Sequence, residues 1–307
     1  MISVTDYYEI LRKSAFGYDR GMHGIFLALS AGIAQSLQGV VSKKLAADAK
    51  PRIILIPVFL AAGIFLSPFL FVHDIPALDS TFWIAAVIST SLNAAGAVAF
   101  WHALARGEFL RIFPLLSLTP IFSVLTGWLV LGETPALQGF IGIALIVAGL
   151  IVLEKRESTA SLADKKRRWT ALLLGALYAL ILSINVALDR LAILHSDPYF
   201  YAAFFPLATA VPLLLLAAEF PPRKEDIIPL RRHAGLILLA GFFFAASAFF
   251  GALGLGYLLA SYFSATKRLG ILVALVGGVL FFKEKITVRI VVGAAIAVLG
   301  VLLIALA

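Results

Sequence analysis

Cysteine is absent from the 307 residues, so neither a disulfide nor a thiolate metal site can form. Charge is scarce. Asp, Glu, Lys and Arg make up 14% of the chain, against roughly 25% in a soluble domain. The chain is 62% hydrophobic with a mean hydropathy of +1.01, and a water-soluble fold of this length cannot hide that much apolar surface. Lipid must therefore be part of its solvent. Histidine is sparse as well: the five, at 23, 73, 102, 195 and 233, are scattered and form no His-x-x-Glu-His motif. A phosphate-binding P-loop is also missing, so direct use of ATP, a bound metal and an enzyme site are not expected, and no cofactor is implied. The first 22 residues, MISVTDYYEILRKSAFGYDRGM, contain no apolar run of the signal-peptide kind and read as a polar tail.

What the chain does have is long apolar runs. A bilayer core is crossed by about 20 apolar residues in a helix. Spans are expected near 23–45, 52–72, 82–105, 109–131, 136–153, 169–194, 198–218, 233–257, 260–282 and 287–307. The breaks HDIPALDS, GETP and HSDP carry turn formers. In GETP, Thr134 is expected as an N-cap with Pro135 at the first helical position. The one long polar stretch, EKRESTASLADKKRRW at 154–169, divides the chain into a first unit, 23–153, and a second, 170–307.

The two units share a pattern. A shift of 151 positions lays Gly127, Leu129, Glu133, Gly142, Ala144, Val147 and Gly149 on identical residues, and Gly24 on Gly175. Five helices is an odd number, so the second unit enters the membrane from the opposite face. The expected fold is thus an all-α membrane protein of ten transmembrane helices in two inverted five-helix repeats. Secondary transporters use that architecture and bind their solute near the midplane.

The segments LLSLTPIFSVLTGWLVLGETPALQGFIGIALIVAGLIVL (115–153) and KRLGILVALVGGVLFFKEKITVRIVVGAAIAVLGVLLIAL (267–306) resemble the closing part of the EamA-type repeat of the drug/metabolite transporter superfamily. The shared pattern is a helix ending in a Gly-Glu or Lys-Glu turn, followed by a Gly-rich final helix. The resemblance spans nearly the whole chain. It implies transport of a small solute by alternating access in a cell membrane, as a monomer or homodimer, without naming the solute. The Lys267-Arg268 pair also resembles the basic pair that faces anionic substrates in the sugar-phosphate and nucleotide-sugar branches. A flippase for a lipid-linked substrate is the alternative, and a channel or receptor a weaker one.

Ionisable groups inside a span are expensive and tend to face a cavity or a partner. Lys267 is expected to offer a cationic anchor to an anionic group. Arg268, about 100° further round the helix, cannot point the same way, so one of the two is expected in the cavity and the other against a neighbouring helix. Asp189 is the proton-coupling candidate, with Arg190 or Lys267 as its alternative partners, and reads as the only acid inside a span. Gln35 and Gln38 share a helix face, and Asn93 and Asn185 lie inside spans. These amides can bind and release a solute without the cost of a charge, or simply join helices. Tyr178 and Tyr262 could add a ring or a hydroxyl. Lys267, Gln35, Asn93 and Asn185 are expected around one midplane cavity. Pro114 and Pro120 are expected to kink the fourth helix, and Pro206 and Pro212 the seventh. Glu133 and Glu284 are expected to cap helix N-termini.

A net charge of +8 would suggest nucleic acid in a soluble protein. Here it reflects basic loops, and no nucleic-acid partner is expected. Arg12, Lys13 and Arg20 lie on the N-terminal side of the membrane. Nineteen other Lys and Arg lie on the opposite side, six of them within 154–169, once Arg190, Lys267 and Arg268 are set aside as intramembrane. The positive-inside rule then puts both termini outside the cytoplasm, whereas the family resemblance implies both inside.

Overall fold

The computed structural model describes residues 18–46, 51–72, 75–105, 118–153, 162–219, 232–270 and 288–307. Among these every regular element is a helix: α1 (Tyr18–Ala46), α2 (Pro51–Leu66), α3 (Phe69–Val72), α4 (Ser80–Ala105), α5 (Thr119–Leu131), α6 (Leu137–Leu153), α7 (Leu162–Leu194), α8 (Pro198–Glu219), α9 (Ala234–Tyr257), α10 (Ala260–Arg268) and α11 (Val288–Ala305). Among the described residues six segments are long and apolar enough to cross a membrane: Gly21–Ser42, Ile54–Val72, Ser80–Ala99, Leu177–Leu194, Pro198–Leu215 and Ala234–Tyr257. Thr119–Leu131, Leu137–Val152 and Val291–Ala305 are shorter apolar helices. Pro114, Glu284 and most of the expected last-but-one span lie outside the described residues.

Alanines are concentrated in the interior, beside large buried side chains such as Phe82, Phe263 and Ile146. Phe26, Ile64, Phe71, Leu129 and Leu215 are exposed, whereas Ala28, Ala31, Ala85, Ala86, Ala187 and Ala240 are fully buried. Apolar tails serve lipid as well as they serve a core. The helix seams therefore go to small residues that let backbones approach. The seam of α6 with α11 shows this. A Cβ on Gly142 would meet the Gly300 carbonyl at 2.7 Å, and one on Gly149 would meet the Gly293 carbonyl at 2.6 Å. Rising residue numbers on α6 meet falling ones on α11, so the pair is antiparallel. Gly24 meets Tyr257 and Leu258, and Gly254 meets Ala28, so α1 runs antiparallel to α9. Ser89 meets Asp189, and Gly96 meets the Tyr178 ring, so α4 runs antiparallel to α7.

Several boundaries differ from expectation. The 52–72 span breaks after Leu66, with a turn at Ser67-Pro68 before α3. Pro68 has no N–H to continue the ladder and its ring clashes with the preceding turn. α7 begins at Leu162, inside the polar 154–169 stretch, because LADKKRRW contains no helix breaker. Pro120 lies in the first turn of α5, where its missing N–H is harmless, and so does not kink the helix. Pro206 and Pro212 do sit inside α8. At GETP, α5 ends on Gly132 in the left-handed conformation, φ 66°. Only glycine takes that conformation at little cost. α6 then starts at Leu137, two residues beyond Pro135, and the exposed Thr134 is not its cap. The Tyr262 hydroxyl accepts the Ala136 N–H at 3.1 Å instead.

Candidate functional site

α7, α8, α9 and α10 line a half-open cavity of about 90 Å³. That holds a few waters but is well below the roughly 300–1,000 Å³ of a typical ligand pocket. Two of its lining residues carry opposite charge: Asp189 on α7 and Lys267 on α10. Asp189 accepts the Tyr201 hydroxyl at 2.7 Å and the Ser89 hydroxyl from α4. The Lys267 ammonium lies 5.6 Å from the centre of the Phe263 ring, one turn back on its own helix. A ring face attracts a cation. Among the described residues Lys267 makes no ion-pair contact with Asp189. Both face the one cavity. The remaining wall is apolar or aromatic, including Ile193, Phe205, Phe244 and Leu255, with the hydroxyl of Ser247.

Arg268 turns away from this cavity. Its Nη2 donates to the Thr119 hydroxyl on α5 at 3.1 Å, and its charge is felt at Tyr178 on α7. At 3.6 residues per turn, Tyr178, Asn185 and Asp189 fall within about 40° on α7. One polar stripe thus runs from the Arg268 end to the Lys267 end. Asn185 is buried on that stripe, and its Oδ1 has no hydrogen-bond partner among the described residues. The α4–α7 register sets half-buried Asn93 opposite the stretch that contains it. The other expected residues part company. Gln35 is exposed and Gln38 half-buried on α1, and neither lines the cavity. Of the four residues expected around one cavity, Lys267 is in its wall. Tyr262 spends its hydroxyl on Ala136.

Arg190 does not pair with its neighbour Asp189. Its Nε bonds Glu133 and its Nη1 the Leu255 carbonyl, with both charged side chains buried. Asp189 is therefore not the only acid within the bundle. Glu133 does cap a helix, but that helix is α10: its Oε2 accepts the Ala260 N–H at 2.9 Å. The α6 terminus, which follows Glu133 in sequence, goes to Tyr262. The α5–α6 turn and the start of α10 thus cap one another. Glu133 is drawn across the bundle because a buried guanidinium without an anion is far costlier than an exposed helix end.

Sequence reasoning passed over Ser89, Tyr201, Phe263 and Ser247. None stands out locally, since hydroxyls and rings recur in every span. Outside the bundle, Asp79 accepts the Phe82 N–H at 2.8 Å at the start of α4, and its other oxygen meets His195 Nδ1 at 2.7 Å. The Phe82 N–H, and after it His195, hold the Asp79 carboxyl below the ordinary carboxylate value. No group of three or more potential metal ligands occurs among the described residues.

Known proteins agree with this architecture. The model of the EamA-like transporter family matches residues 22–154 and again 169–306. An uncharacterised protein of Methanocaldococcus jannaschii is 38% identical over 68 residues, which are 22% of this chain and 50% of that one. The chain thus spans about half the length of the curated relative it matches. A solved crystal structure of a protein superposes with a TM-score of 0.67 at 16% identity, covering 95% of this chain and 96% of its own. That likeness speaks for the fold alone.

Proposed function

Because the chain belongs to the EamA-like transporter family, and so is an integral membrane transporter, we propose that it is a secondary transporter moving a small polar solute through the Asp189–Lys267 cavity. One observation carries this reading: two opposite charges share a cavity with apolar and aromatic walls. Buried charges without close partners are costly, so a cavity that keeps them apart favours a solute that engages them. Lys267 would receive an anionic group of the solute. Asp189, held by two hydroxyls, is the group able to take up or release a proton as the solute passes. No ATP-binding loop is present in the sequence, which favours coupling to an ion or to solute exchange.

The alternating-access part of the proposal rests on repeat symmetry. Gly142 and Gly293 are equivalent under the 151-residue shift, as are Gly149 and Gly300. The contact of Gly142 with Gly300 is therefore mirrored by that of Gly293 with Gly149. A two-fold axis perpendicular to an antiparallel pair accounts for both, which favours ten spans in two inverted repeats. Gly21 and Ala305 lie at one end of the bundle, with the Gly21 Cβ position 4.0 Å from the Ala305 carbonyl. An even number of spans requires that. The cell membrane is the proposed location.

The test is uptake into proteoliposomes, screening anionic against zwitterionic metabolites with and without a pH gradient. Accumulation of one class, lost in Lys267→Gln, is the expected result. A solute that moves equally well through Lys267→Gln would remove the anionic-group reading.

A further inference from the structure

The Asp189–Lys267 reading leaves the buried Glu133–Arg190 pair without a part, yet the pair is tied to both poles of the cavity. Arg190 follows Asp189 directly on α7. Ala260, which Glu133 caps, lies seven residues before Lys267, about two turns along α10. The Leu255 carbonyl, held by Arg190, belongs to the last turns of α9, and Leu255 itself lines the cavity. Between them the two side chains hold the end of α9 and the start of α10 against the α5–α6 turn.

That junction lies at the end of the bundle where α1 begins and α11 ends, since Gly24 packs on Tyr257 and Leu258, and Gly21 lies near Ala305. It also joins residues from the two family repeats, 22–154 and 169–306. Moving the end of α9 and the start of α10 away from α7 and the α5–α6 turn would break the Arg190–Leu255, Glu133–Ala260 and Ala136–Tyr262 bonds together, and would leave the Glu133–Arg190 pair behind on α7 and the turn. A contact set lost as a unit gives two discrete states. A buried ion pair adds little net stability over an apolar pair of the same shape, and a switch is among its best-attested uses. The cavity beside it is smaller than a typical ligand pocket.

From this geometry we propose that Glu133 and Arg190 are the positioning pair of the transport cycle. Closed, they fix Lys267 relative to Asp189 and seal the cavity toward the face where α1 starts. Released from Leu255 and Ala260, they let the α9–α10 junction withdraw and open it there. The proposal deepens the transporter reading and rests on it.

The chain offers a direct probe. A Cβ on Gly127 would stand 3.8 Å from that of Ala260, the usual Cβ separation in a disulfide, and no native cysteine competes. Gly127→Cys with Ala260→Cys, in reconstituted protein under mild oxidant, should crosslink rapidly and nearly completely. Adding Glu133→Gln should slow crosslinking about tenfold or more while the protein stays monodisperse. Arg190→Lys, which keeps the charge but lacks the planar fork whose separate nitrogens reach Glu133 and Leu255, should do the same. Crosslinked protein should lose uptake and regain it on reduction. Equal crosslinking rates with and without the pair would overturn the proposal, as would uptake that survives the crosslink. If both mild variants fail to fold, the pair is scaffold and the proposal falls. The crosslinking rate needs no solute. A chain that moves nothing in the screen but crosslinks as described would therefore count against the transporter reading and not against the switch.

Discussion

Gly32 on α1 lies against the carbonyl oxygen of Lys267 on α10: a Cβ at position 32 would stand 2.0 Å from it, and one on Gly270 would stand 2.1 Å from the Gly32 carbonyl carbon. The helix that carries the cationic pole is thus braced by backbone against α1, with no side chain able to yield. Gly32→Ala should destabilise the protein by about 1–3 kcal/mol, as overpacking does. Gly39, on the same helix with nothing within 4 Å of its Cβ position, is the control. Gly39→Ala should be neutral or stabilising by up to about 1 kcal/mol. Thermal unfolding in detergent, followed by size-exclusion, measures both. Equal effects would mean that α1 and α10 are not packed as described.

Lys267→Gln should reduce uptake of the transported solute at least tenfold (about 1.4 kcal/mol in the free-energy difference) while leaving expression and thermal stability near those of the parent. Among the described residues its ammonium makes no ion-pair contact to lose and lies 5.6 Å from the centre of a ring. Asp189→Asn should separate two functions. Solute exchange across the membrane should persist, because an amide can still accept the Ser89 and Tyr201 hydroxyls. Accumulation driven by a pH gradient should vanish. Accumulation that survives Asp189→Asn would assign the coupling elsewhere.

Asp79 predicts an acid limb of stability. Its folded-state carboxyl is held down by the Phe82 N–H and then by His195. The stabilisation is therefore present at pH values above the ordinary carboxylate range and is lost as pH falls through the lower, folded value. Asp79→Ala removes an N-cap, at about 1 kcal/mol near neutrality, and should flatten the loss of thermal stability on acidification. Asp79→Asn keeps a capping oxygen but not the charge, and should fall between the two. Identical acid profiles for all three would discard the assignment.

The side of the membrane can be read chemically. With no native cysteine, Ala160→Cys in the basic 154–169 stretch gives a single thiol. The Lys and Arg distribution predicts that it resists a membrane-impermeant reagent in intact cells and reacts after permeabilisation. Rapid labelling in intact cells would put that stretch, and with it the excess of basic residues, on the outer side, against the positive-inside rule.

Composition alone determined that this chain lives in lipid and is helical, because apolar content and run length act locally: a run of some 20 apolar residues leaves the backbone no partner but itself. The repeat was legible too, since Gly142 and Gly149 recur as Gly293 and Gly300 under one shift, but that the two pairs meet in one seam was decided by the packing. Lys267 and Asp189 were legible as functional candidates because charge in a span needs a reason. The pairing of those charges was not legible. Arg190 beside Asp189 in sequence suggested one neutral pair, but successive helical residues point about 100° apart, and the rotation of α7 sends Arg190 to Glu133 and Asp189 to Ser89 and Tyr201. Gln35 and Asn93 carry the right chemistry yet stand outside the cavity wall, because helix rotation and crossing register are set by the sum of many weak seam contacts. Glu133 reads as the cap of its own helix from spacing, and only the approach of α10 to the α5–α6 turn made it the partner of a residue 127 positions away.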